Sequence, residues 1–145
     1  MKKIDIVSVK LEIQGNIEIR ECVSSPKSVA KLIKSYIGEA DRENLIVVLL
    51  DTKNKVNSLE VVSTGSLNST IVHPREVFKS AILSNAASII IAHNHPSGDV
   101  TPSREDENIT ARLKEASRII GIELLDHIIL GYGDTYLSFK EKGLI

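Results

Sequence analysis

A chain of 145 residues, 42% of them apolar, has the size of one domain and enough apolar surface for one continuous core, which excludes several independent domains. Eighteen Lys and Arg against nineteen Asp and Glu leave a formal charge of −1, so no overall basic field exists to hold a polyanion. The single cysteine, Cys22, excludes both an internal disulfide framework and a thiolate zinc site, and nothing beside it in sequence argues for a reactive thiol.

Met1-Lys2-Lys3 has the basic start of an export signal, but Asp5, Lys10 and Glu12 interrupt the apolar run that would have to follow. The longest strongly apolar runs, 45–50 and 89–92, fall far short of the roughly 20 residues that cross a bilayer, so the sequence reads as soluble, cytoplasmic and without membrane contact. Ile4, Ile6, Leu11, Ile13, Ile17 and Ile19 alternate as in a half-buried strand or hairpin turning at Gly15-Asn16. Residues 1–24 are therefore expected to form an N-terminal strand or arm and 25–145 the domain proper; such an edge leaves dimerisation open.

Ser25-Pro26 supplies a helix N-cap and first-turn proline, and Val29, Leu32, Ile33, Tyr36 and Ile37 recur at helical spacing until Gly38. Residues 45–50 are continuously apolar between polar flanks, as in a central strand covered on both faces. Two less apolar strands are expected near 56–64 and 69–73, the second ended by Pro74. Val77, Phe78, Ala81 and Ile82 mark a second helix and 87–92 a second buried strand. A third helix runs from Ser103 through Ile109, Leu113, Ala116 and Ile120 to Gly121, and 124–130 makes a further strand. Helices interleaved with two strongly apolar strands predict an α/β sandwich with a mixed sheet flanked by helices.

The chemistry concentrates in Ala92-His93-Asn94-His95-Pro96-Ser97-Gly98-Asp99, followed by Pro102-Ser103-Arg104-Glu105-Asp106. In extended backbone, residues two apart share a face at about 6.6 Å, so the imidazoles of His93 and His95 can converge on one ion while Asn94 faces the other way. Pro96 and Gly98 end the strand and turn the chain over it, placing the histidines at a rim where α/β folds hold ligands. The third helix adds Asp106 in its first turn. Two imidazoles and a carboxylate suit Zn²⁺ with the fourth position open, the pattern of catalytic rather than structural zinc. Ser103-x-x-Asp106 also has the form of a capping box, and the capping and catalytic readings can coexist.

His-x-His, seven intervening residues and Ser-x-x-Asp together resemble the JAMM (MPN+) metalloprotease motif. The string His93-Asn94-His95-Pro96-Ser97-Gly98 with Pro102-Ser103 and Asp106 is similar to the RadC family in particular. That likeness extends through Gly65, through Val72-His73-Pro74-Arg75-Glu76-Val77-Phe78 and through Leu125-Asp126-His127-Ile128-Ile129, covering about residues 25–142. The chain resembles the short, stand-alone members, since many others carry an N-terminal region like a helix-hairpin-helix.

The resemblance implies a cytidine-deaminase-like JAB/MPN fold in which a zinc-bound water attacks a peptide or isopeptide carbonyl. It implies His93, His95 and Asp106 as ligands and Ser103 as hydrogen-bond donor to the water or the oxyanion. An upstream glutamate acts as general base in such enzymes, and Glu43 occupies that position. Glu39 and Glu60 are rivals, and a solvated charge is the ordinary reading of Asp41-Arg42-Glu43.

His73 reads as a strand-end histidine, His127 as a core histidine that with Asp126 can support the site, Arg75-Glu76 as a helix-start pair and Asn94 as a brace of the turn. The leading expectation is a zinc-dependent hydrolase of amide bonds acting on an unidentified protein or peptide. Nuclease or DNA-repair accessory chemistry, suggested by the family's historical association with DNA repair, lacks a basic track and has only three Tyr and two Phe to stack bases, so nucleic acid is not expected as a direct ligand. A metal-stabilised binding module without turnover is the third reading.

Overall fold

Residues 44–50 are apolar without alternation because the strand they form is covered on both faces. The computed structural model describes residues 1–68 and 72–145. The elements run α1 (Pro26–Ile37), β1 (Asn44–Leu50), β2 (Val56–Thr64), α2 (Pro74–Leu83), β3 (Ser88–Asn94), α3 (Arg104–Ile120), β4 (Glu123–Leu130) and β5 (Tyr136–Ser138). The strands form one sheet in the order β2-β1-β3-β4-β5, with β3 and β4 parallel and the other neighbours antiparallel. This is the mixed α/β sheet flanked by helices that the sequence predicts.

The period of two along β1 sorts its side chains into two cores. Leu45, Val47 and Leu49 pack with Val77, Phe78 and Ala81 of α2 and Ile109 and Leu113 of α3. Ile46, Val48 and Leu50 pack on the opposite face with Val29, Ala30, Leu32 and Ile33 of α1. Each fully buried aliphatic side chain is worth about 1.5–3 kcal/mol, so both faces contribute to holding the central strands between the helix layers. The crossover from β3 through α3 to β4 places the α3 N-terminus over the carboxyl ends of these two parallel strands.

Local signals fix the helix ends. Ser25 caps α1 reciprocally with Ser28, and Ser103 does the same for α3 with Asp106. Gly121 ends α3 in the left-handed region at φ 82°, which a residue with a Cβ adopts only at a cost.

Two expectations are corrected. Residues 4–20 form no strand: the alternating residues stay open to solvent, Ile4 at 92% and Ile13 at 86%, and only Ile17 and Val23 reach the α1 core. Alternation specifies two faces but supplies no hydrogen-bonding neighbour, and the sheet order includes no strand from this segment. The expected strand near 69–73 lies partly outside the described residues, and Val72 and His73 are not in a strand. The three-residue β5 went unseen because one alternation is too short a pattern to read.

Candidate metal centre

Alternation along β3 delivers the first histidine. Ile89 and Ile91 face the α2–α3 core, so His93 continues that row beneath the first turn of α3, whereas Ile90 and Ala92 lie in the α1 core. The chain stays beside β4 for one more residue, the His95 amide donating to Leu130 O at 2.8 Å. It then turns, with Gly98 N donating to His95 O and Gly98 at φ 85°. On α3 the buried positions Asp106, Ile109, Thr110, Leu113 and Ser117 form one stripe, and its polar members Asp106 and Thr110 lie at the site end.

These elements bring three ligand-type side chains together. His93 Nε2 and His95 Nε2 are 2.9 Å apart, and each lies 3.2 Å from an oxygen of Asp106. Tetrahedral ligands about 2.0–2.1 Å from zinc are roughly 3.3 Å from one another, so the cluster is nearly at ligation spacing. His93 is wholly buried, Asp106 3% exposed and His95 only partly covered, so the cluster has one side open to solvent.

The hydrogen atoms can be assigned by elimination. His95 Nδ1 lies 2.6 Å from Asp99 O, a carbonyl that can only accept, so Nδ1 carries the hydrogen and Nε2 turns its lone pair inward. His93 Nδ1 meets His127 Nε2 at 2.7 Å, and its Nε2 faces the same point as that of His95. Two imidazole lone pairs and a carboxylate about 3 Å apart repel one another unless a positive charge sits among them. A bound proton is one such charge: the Asp106 carboxylate, together with the Asp99 carbonyl, raises the His95 pKa above 6.5 against the opposing effect of burial. A divalent cation is the other, and the donor set of two borderline nitrogens and one oxygen fits zinc.

Burial alone would raise the Asp106 pKa, but the neighbouring His93 and His95 imidazoles and the Ser103 amide outweigh it and hold the carboxyl well below the usual carboxylate range. His127 is pushed well below its ordinary value, chiefly by its complete burial.

Glu43 approaches from just before β1. One of its oxygens and one nitrogen each of His93 and His95 all lie within 4.8 Å of one another. Its Oε2 accepts from the Leu67 amide at 3.0 Å and its carbonyl from Gly65 at 2.7 Å. Asn94, on the opposite side of β3 from His93, clamps the backbone around Glu43: its Oδ1 accepts from Asn44 N at 2.7 Å and its Nδ2 donates to Arg42 O at 2.8 Å. Asn94 is thus a brace of the Glu43 strand entry rather than of its own turn. Ser103 Oγ accepts from Asp106 N at 3.0 Å while the Ser103 amide donates to Asp106 Oδ2 at 2.8 Å, so the capping box also orients a ligand-type carboxylate.

The rival glutamates lie elsewhere. Glu39 binds Lys34 and the Gly133 amide, and Glu60 sits mid-strand in β2 opposite Val47. His73 is the N-cap of α2, and Glu76 pairs with Lys79 rather than with Arg75. Asp126 accepts from His127 N, Ser138 Oγ and Lys140 N, fixing the turn after β5. The contact of His127 with both His93 and Thr110 was not legible; a histidine inside the apolar run 124–130, with a threonine one turn after Asp106, is the available sequence signal.

The His95 turn leans on Gly131. A Cβ there would stand 2.6 Å from Gly98 O and 2.9 Å from Val100 Cγ1, and the first is backbone that cannot swing aside. Gly131→Ala is expected to cost roughly 1–3 kcal/mol in urea unfolding, as overpacking does, and to weaken zinc binding by displacing His95. Unchanged unfolding and zinc affinity would show that the turn accommodates the methyl freely. A cavity of about 170 Å³ beside the turn is lined by Lys34, Glu39, Asp41, Asn94, His95 and Tyr132, among others.

A family model described as a RadC-like JAB domain matches residues 23–144. A UPF0758 protein of Clostridium beijerinckii is 58% identical over 123 residues, 85% of this chain and 53% of the relative. UPF0758 proteins of Rubrobacter xylanophilus and Methanosarcina mazei are 54% and 51% identical, over 87% and 88% of this chain and 55% and 56% of their own lengths. The chain spans about half the length of these curated relatives.

Proposed function

Because the chain belongs to the family of RadC-like JAB domains, and because its two imidazole lone pairs and a carboxylate meet at ligation spacing, we propose that it is a zinc-dependent hydrolase of peptide or isopeptide bonds. The convergence of His93, His95 and Asp106 is the observation that supports this most. Zinc held there supplies Lewis-acid polarisation of a water and of a carbonyl, making the water nucleophilic near neutral pH.

The protein's own groups divide the remaining work. The Leu67 amide occupies Oε2 of Glu43, leaving its other oxygen to take a proton from the attacking water and pass it to the leaving nitrogen as the C–N bond breaks. The water oxygen ends on the carbonyl carbon and the second water proton passes to the released amine, giving a carboxylate and an ammonium group. The Ser103 hydroxyl, which accepts from the Asp106 amide, keeps its own hydrogen to donate to the oxyanion. Asp106 is assigned as the third ligand because each imidazole Nε2 lies 3.2 Å from one of its oxygens, the spacing of ligands on one ion, and Glu43 is the carboxylate beside the same histidines that is left to face the water.

The test pairs metal content with turnover. Protein loaded with zinc is incubated with peptide, isopeptide-linked and single-stranded DNA libraries, before and after chelation. Amide cleavage that stops on chelation and returns with zinc is the expected result. Cleavage of DNA alone would replace the reading with a nuclease, and bound zinc with no turnover of any library would favour a metal-stabilised binding module.

A further inference from the structure

Thr110 and His127 are two buried polar residues that the proposed hydrolytic chemistry does not use. Thr110 is 3% exposed and His127 1%, and the Thr110 hydroxyl and both His127 ring nitrogens each have a hydrogen-bonding partner. The chain of contacts begins and ends on ligand-type residues. Thr110 Oγ1 donates to Asp106 O at 2.8 Å, His127 Nδ1 lies 2.5 Å from Thr110 Oγ1, and His127 Nε2 lies 2.7 Å from His93 Nδ1. Phe139 stacks on the His127 ring at a centroid distance of 4.4 Å and fixes its plane.

A hydroxyl has one hydrogen. Thr110 gives it to the Asp106 carbonyl, so toward His127 it can only accept, and His127 Nδ1 must carry the hydrogen. Buried with a hydroxyl at Nδ1 and an imidazole at Nε2, His127 carries a single hydrogen, so its Nε2 presents a lone pair that can only accept, and His93 Nδ1 must donate to it. His93 is left with its lone pair on Nε2, the atom facing His95 and Asp106. We propose that Thr110 and His127 are positioning residues that together lock His93 in the tautomer able to ligate a metal through Nε2. The lock rests on the metal-centre reading for its purpose but not for its existence.

The opposite arrangement shows what is at stake. Without the Thr110 acceptor, His127 is free to place its hydrogen on Nε2, which would then donate to His93 Nδ1 and drive the His93 hydrogen onto Nε2. The cation would have to displace that hydrogen before binding. Outer-shell partners of metal-ligating histidines are worth about 10–100-fold in metal affinity.

Two substitutions break the lock while preserving shape. Thr110→Val removes the hydroxyl at nearly constant volume, and His127→Phe keeps a flat ring against Phe139 but cannot accept. Thr110→Ser restores the hydroxyl and is the rescue. Zinc affinity, measured by competition with a chelating dye, is expected to fall 10–100-fold in Thr110→Val and His127→Phe and to return to within about threefold in Thr110→Ser. Imidazole ¹⁵N spectra of the full chain without metal are expected to show His93 protonated on Nδ1 in the wild type and on Nε2 in Thr110→Val. Wild-type His93 protonated on Nε2 alone would overturn the proposal, as would undiminished zinc affinity in both Thr110→Val and His127→Phe. Should the wild-type chain bind no zinc, the metal-centre reading fails, and the spectra of the metal-free protein still decide whether the lock exists.

Discussion

His95→Ala and Asp106→Asn are each expected to reduce zinc from stoichiometric to trace levels by elemental analysis, and amide hydrolysis to background with it. The two variants fail for different physical reasons. His95→Ala removes one of two inward lone pairs and leaves a gap at the partly covered side of the cluster. Asp106→Asn keeps nearly the same shape and can still accept the Ser103 amide through its carbonyl oxygen, so the α3 cap survives while the negative charge is lost. Thermal unfolding of metal-free Asp106→Asn should therefore stay close to that of the metal-free wild type, separating loss of ligand from loss of fold. Proton and cation compete for the same nitrogens. Since the Asp106 hydrogen bond raises the His95 pKa above 6.5, zinc affinity should fall as pH drops through that raised value and level off above it. Full zinc in either variant would remove that residue from the ligand set.

Glu43→Gln is expected to do the reverse: zinc retained, hydrolysis reduced about 10²–10⁴-fold, the usual contribution of a general base. Glutamine is nearly isosteric and can still accept from the Leu67 amide, so the Asn94 clamp and the strand entry at Asn44 should be undisturbed. What disappears is the capacity to take a proton next to the imidazoles. Comparing Glu43→Gln with Asp106→Asn is the sharpest way to tell base from ligand, because both carboxylates approach the same two histidines from different places, just before β1 and in α3. If Glu43→Gln lost zinc and Asp106→Asn kept it, the two roles would be exchanged.

Most of the scaffold and the convergence of His93, His95 and Asp106 were legible because they follow from local rules. The period of two that places Ile89, Ile91 and His93 on one face of β3 is intrinsic to a strand, and the same rule separates His93 from Asn94. Ser103 and Asp106 are adjacent because they are three apart at a helix start, which is also why capping and orienting a ligand-type carboxylate turn out to be one set of hydrogen bonds. What stayed illegible depends on pairings across long stretches of chain. Asn94 reaches Arg42 and Asn44, and His127 reaches His93 and Thr110, through sheet register and helix docking that no window of sequence contains. The N-terminal alternation failed for the complementary reason: Ile4 to Ile13 carry a strand's side-chain pattern, but a strand also needs a neighbour to take its amides, and that neighbour is not encoded locally.

The assignment of function rests on a single cation held by His93, His95 and Asp106, and diffraction from zinc-soaked crystals on either side of the zinc absorption edge tests it most directly. One anomalous peak bonded to His93 Nε2, His95 Nε2 and an Asp106 oxygen at about 2.0–2.2 Å is expected, with solvent completing the tetrahedron and Glu43 beside that solvent. A peak ligated by Glu43 in place of Asp106, or no peak among these residues at saturating zinc, would contradict it.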